Sequence, residues 1–109
     1  MTFNEKTASR IRSTLKHTRG LTERQMFGGA AFMLDGHMCC GVIEGNLVVR
    51  VGPHAYQEAL QEPHARPMDF TGRPLTGFVY IAREGYESDQ ALLRWIHRSL
   101  DFVSTLPPR

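Results

Sequence analysis

The sequence predicts an α+β domain with three helices and five mainly antiparallel strands, in the order α-β-β-β-α-β-β-α. Three observations predict it. An amphipathic stripe of helical period lies near each end of the chain. Two turn signals, Asp35-Gly36 and Glu44-Gly45-Asn46, cut the apolar stretch between them into a meander. The length, 109 residues, suits one core rather than two.

The first helix is predicted from about Asn4 to Thr18. Ala8, Ile11 and Leu15 form its apolar stripe, Lys6, Arg10, Ser13 and His17 lie opposite, and Gly20 is placed to end it. The run from Gln25 to Leu34 reads as one strand that is apolar or small on both faces. A second strand follows from His37 to about Ile43. The third is Leu47-Val48-Val49-Arg50-Val51, with Leu47, Val49 and Val51 on one face and Val48 and Arg50 on the other. Gly52 and Pro53 are expected to open a short helix that buries Tyr56, Ala59 and Leu60 and closes at Pro63. Extended segments at about Pro67–Thr71 and Phe78–Ala82 flank a connection, residues 72–77, long enough to carry function. Ser88 caps the last helix, Asp89 favours its positive end, and Leu92, Trp95, Ile96, Ser99, Val103 and Leu106 make its buried stripe.

Composition narrows the class. A hydrophobic fraction of 41% is that of a globular chain, not a disordered one. No apolar run approaches the ~20 residues of a membrane span, and the first residues lack the apolar core of a secretory signal. Cys39 and Cys40 are adjacent and could join only through a strained eight-membered ring, so reduced thiols and a cytoplasmic location are expected. Residues 1–24 hold six basic and two acidic side chains, whereas residues 25–109 hold seven and nine. The basic N-terminal helix could contact nucleic acid through Lys6, Arg10, Arg12 and Lys16; the solvated face of an amphipathic helix is the preferred account.

The chemistry-bearing residues form no recognised catalytic set. His37 and Cys39 are two apart on a strand and share a face, but zinc needs at least one further ligand, which His54 or His64 would have to supply. Cys40 points the other way on this spacing, with Met38 and Val42, as a small core hydrophobe. Gly28-Gly29 matches neither phosphate-loop fingerprint; inside a strand it signals a bulge or a close approach of backbone. Phe27, Phe32, Phe70, Phe78 and Tyr80 on strands suggest base stacking only superficially, since few cations accompany them and the matching signature is absent. No cofactor, metal or enzymatic activity is expected.

Several runs in order resemble the TfoX N-terminal-domain family: Met26-Phe27-Gly28-Gly29 after a basic helix, Met38-Cys39-Cys40-Gly41-Val42, Leu47-Val48-Val49-Arg50-Val51-Gly52, Met68-Asp69-Phe70-Thr71-Gly72-Arg73-Pro74-Leu75, and the terminal helix with Trp95. That resemblance implies a two-layer fold with an antiparallel sheet, in a bacterial cytoplasmic protein. It also implies kinship with a regulator of competence genes that acts with the cyclic-AMP receptor protein, here as a single-domain member. It carries no catalytic residues. The expected function is therefore a regulatory or protein-interaction module. If the helices cover one sheet face, the other offers Phe27, Met33, His37, Cys39, Ile43, Val48 and Arg50, with Arg73 nearby, to a protein partner or to a second copy in a homodimer. Nucleic-acid binding through the first helix, and a metal- or thiol-dependent protein centred on His37 and Cys39, are the alternatives.

Overall fold

The computed structural model describes residues 3–26, 28–69 and 72–109. The elements run α1 (Phe3–Leu15), β1 (Leu21–Met26), β2 (Gly29–Leu34), β3 (His37–Ile43), β4 (Asn46–Arg50), α2 (Tyr56–Leu60), β5 (Ala65–Pro67), β6 (Phe78–Ile81) and α3 (Asp89–Val103). A single 3-10 turn, Arg83–Gly85, leads into α3. The sheet order is β1-β2-β3-β4-β6-β5, and every neighbouring pair is antiparallel. The predicted α+β class is the observed one, with six strands in place of five.

The sixth strand comes from the segment read as one. Gln25–Leu34 is not continuous: β1 and β2 form a hairpin in which Met26 faces Gly29 across a two-residue connection. Gly28 sits in that connection with φ +75°, a conformation that costs a residue with a Cβ about 1–2 kcal/mol. The Gly-Gly pair thus joins a turn, at Gly28, to the start of β2, at Gly29, and is not a bulge within a strand. Its second member also permits a close approach, since a Cβ on Gly29 would collide with the Val42 carbonyl and lie 2.9 Å from its carbon. The strand β1 escaped notice because its sequence, Leu-Thr-Glu-Arg-Gln-Met, lacks an apolar alternation. Its inward charge, Glu23, is instead held by a two-pronged bond from Arg12 on α1, both contacts at 2.8 Å.

Two shorter elements are also displaced. The α2 helix begins at Tyr56, three residues beyond Pro53, with Ala55 at its N-cap and no side-chain cap bond. The strand β5 lies at Ala65–Pro67 rather than Pro67–Thr71; it is the sheet's outer strand, where a proline without an N–H costs no ladder bond. Phe70 and Thr71 of the expected strand lie outside the described residues. The last helix follows its prediction closely: the Ser88 hydroxyl accepts from the Ala91 N–H at 3.1 Å, and Leu92, Trp95, Ile96, Ser99 and Val103 are buried.

The helices α1 and α3 lie side by side on one face, α1 across β2 and β3 and α3 across β3 and β4; α2 packs beside β5 and β6. The main core fills the space between, with Phe32, Cys40, Val42, Leu47, Val49, Val79 and Ile81 facing Ile11, Leu15, Leu92, Trp95 and Ile96. Tyr86 is sealed into this layer and donates to the Gly45 carbonyl at 2.8 Å, tying the approach to α3 to the β3–β4 turn. A second, smaller cluster of Ile43, Val48, Met68 and Tyr80 occupies the opposite sheet face, with Met38 and Phe78 at its margin.

Candidate interaction surfaces

The structure redistributes the residues expected on an open sheet face. Ile43 (2% exposed) and Val48 (0%) do lie on the face away from the helices, but the chain itself buries them together with Met68 and Tyr80. Neither residue is available to a partner. Cys39 is fully buried too, and it belongs to the helix side.

The cause is a register shift. Met33 faces Met38, yet Phe32 faces Cys40, so Cys39 is an extra residue in a bulge. The bulge turns Cys39 towards α3, where the Ser99 hydroxyl donates to its carbonyl and sits 3.1 Å from its sulfur. Alternation along the sequence assigned Cys39 and Cys40 to opposite faces; the bulge places both in the helix-side core. The adjacent Cys40 thiol draws the Cys39 thiol down against the effect of its burial, with help from Ser99 and the nearby Arg50. Cys40, beside Cys39 and buried in apolar surroundings, is held well above the ordinary thiol range. His37 stays half-exposed and its Nε2 donates to the Pro107 carbonyl at 2.7 Å. Among the described residues, no three His, Cys, Asp or Glu side chains converge as metal ligands.

Ser99 therefore has a structural task with a measurable consequence. Ser99→Ala removes the side-chain donor bonded to the bulge carbonyl, and about 1–3 kcal/mol of stability is expected to go with it in urea unfolding. A loss under ~0.5 kcal/mol, the range of an ordinary surface change, would mean that the bulge carries no such debt.

Besides the half-exposed His37, three of the expected surface residues remain accessible. Met33 and Arg50 are half-exposed on the second sheet face, and Arg73 is exposed in the 72–77 connection. Phe27 lies outside the described residues. The cations of α1 divide into two groups. Arg10 donates to the carbonyls of Tyr86 (3.0 Å) and Glu87 (3.1 Å) and pairs with Asp89, so it fastens α1 to the start of α3. Arg12 is engaged by Glu23 and Glu5. Lys6 and Lys16 are exposed.

The largest hollow among those described was not anticipated from the sequence. It is a groove of about 570 Å³ between α1 and α3, lined by Ser9, Arg10, Ser13, Thr14, Asp89, Leu92 and Leu93. Its floor is apolar at Leu92, its α1 wall carries hydroxyls, and the Arg10–Asp89 pair crosses it. Leu93 is 42% exposed, one of two large apolar side chains so exposed among the described residues. A signal existed in the sequence: Leu93 directly follows Leu92 on α3, outside the stripe that packs on the sheet.

A six-stranded antiparallel sheet with α1 and α3 on one face defines a small α+β domain. The sequence model of the TfoX N-terminal domain matches residues 13–103, from within α1 to the end of α3. The chain belongs to that family. No curated protein matches it closely enough to count as a relative. No helix of the described residues is long and apolar enough to cross a membrane.

Proposed function

We propose that this chain is a regulatory, protein-interaction module that receives a partner protein in the groove between α1 and α3. Family membership supports the regulatory part. The groove carries the interaction part: it is concave, has an apolar floor at Leu92, and leaves Leu93 extended to solvent beside it. Apolar side chains surrounded by polar rims are the usual anchors of protein contacts. The hydroxyls of Ser9 and Ser13 are short, so a partner helix or loop can approach α1 closely. Nucleic-acid binding by the same helix is less well supported, because Arg10 and Arg12 already serve α3 and β1.

The test is site-specific photocrosslinking in the cells that make the protein. A photoreactive residue at Leu93 is expected to yield one discrete adduct with a partner, and the same residue at Glu84, exposed in the turn before α3, is expected to yield none. Equal labelling from both positions, or none from either, would remove the groove from consideration. An adduct of twice the chain's mass would identify the partner as a second copy.

A further inference from the structure

We propose that the rim of the second sheet face around Arg50 is a docking site for an acidic segment of a partner protein, separate from the α1–α3 groove. Of the three half-buried arginines among the described residues, Arg10 and Arg98 each have a carboxylate partner and Arg50 has none. Its guanidinium is held over the rings of Phe78 (5.1 Å) and Phe102 (5.5 Å). Among the described residues its hydrogen-bond acceptor is the Met38 carbonyl, at a long 3.5 Å.

The stacking fixes the plane of the fork while most of its donors stay unused. That is the arrangement in which a carboxylate binds with two bonds and little loss of side-chain freedom. The neighbourhood suits an apolar residue beside the acid. Met33 and Met38 face each other across β2 and β3, both half-exposed, and thioether side chains adapt to varied partners. Arg24, exposed on β1 and of the same face, stands roughly 16 Å from Arg50 by strand spacing and rise. A segment crossing the sheet could meet both. Glu44 lies at the far end of β4 and acts on Tyr80. Asp69, next to the Met68 that bonds Phe78, is on the Arg50 side but also acts on Tyr80 and does not pair with Arg50. Glu58 and Asp101 line a hollow that Phe102 shares, and neither pairs with Arg50. No carboxylate of the described residues pairs with Arg50, which leaves its fork open to an acid from outside the chain.

The probe is a synthetic peptide of alternating Glu and Asp around a single central Leu, added at millimolar concentration to protein with ¹³C-labelled methionine methyls. Shifts at Met33 and Met38 are expected. They should weaken on the order of tenfold for the same peptide with Gln and Asn in place of the acids, and for Arg50→Gln. Arg24→Gln, at an exposed position that does not threaten folding, should weaken binding by a smaller factor. Equal binding of the acidic and amide peptides, no shift with either, or binding unaffected by both substitutions would overturn the proposal. So would a single-stranded thymidine oligonucleotide that shifts these methyls as strongly as the peptide. The readout lies on the sheet, so it is blind to the fate of the groove.

Discussion

Trp95→Ala is expected to remove about 3–5 kcal/mol, much of the ~5–15 kcal/mol that holds a domain of this size folded. Trp95 is the chain's single tryptophan, 1% exposed, and it projects from α3 into the main core. Its removal leaves a cavity beneath a helix that spans β3 and β4, and the rigid sheet cannot collapse to fill it. A second loss accompanies the first. Arg94 and Arg98 lie 5.2 and 4.7 Å from the ring, and both reach Glu62 just beyond α2. Without the ring, that clasp loses the surface on which its stems rest. Thermal unfolding followed by circular dichroism should show a fall in Tm of roughly 15–30 °C. Trp95→Phe keeps an aromatic body and should lose less than half as much. A fall under ~5 °C for the alanine variant would show that α3 is held by something other than this ring.

Gly29→Ala is expected to be as severe by the opposite route. The added methyl has no space: it would overlap the Val42 carbonyl oxygen, 2.9 Å from that carbonyl's carbon and 3.3 Å from Ile43 Cα. These are backbone atoms in the middle of the sheet, so relief requires β2 and β3 to separate. A loss of about 3 kcal/mol or more follows, with most of the protein insoluble on expression. The neighbouring Gly28→Ala provides the contrast. Nothing lies within 4 Å of its added methyl, and only the positive φ opposes it, at about 1–2 kcal/mol. If the two variants prove equally stable, the β2–β3 approach is looser than these distances state.

The Gly-Gly pair also shows where reading the chain succeeded and where it stopped. That glycine at this point admits a neighbouring backbone was legible, because no side chain is a strong local statement. That the chain turns at this pair was not, because the flank Leu21–Met26 lacks an apolar alternation and holds a single β-branched residue, Thr22. The strand exists because Leu21–Met26 pairs along its whole length with β2 and Arg12 receives Glu23. The same limit governed the candidate surface. Alternation assigned Val48 and Ile43 to the non-helical face correctly, but could not know that Met68 and Tyr80 cover them. It misplaced Cys39, since a bulge leaves no mark in a run as apolar as Met38-Cys39-Cys40.

The sequence by itself determined the class, the two amphipathic helices, the Asp35-Gly36 and Glu44-Gly45-Asn46 turns, and the Ser88 cap. Each is a local matter of period, turn chemistry or hydrogen bonding within a few residues. Only the tertiary structure decided which surfaces remain open. Exposure is a property of what else arrives at a face: Glu23 for Arg12, Asp89 for Arg10, Met68 for Val48. At Arg50 the described residues bring two rings and no paired acid, and beside Leu93 they leave a groove.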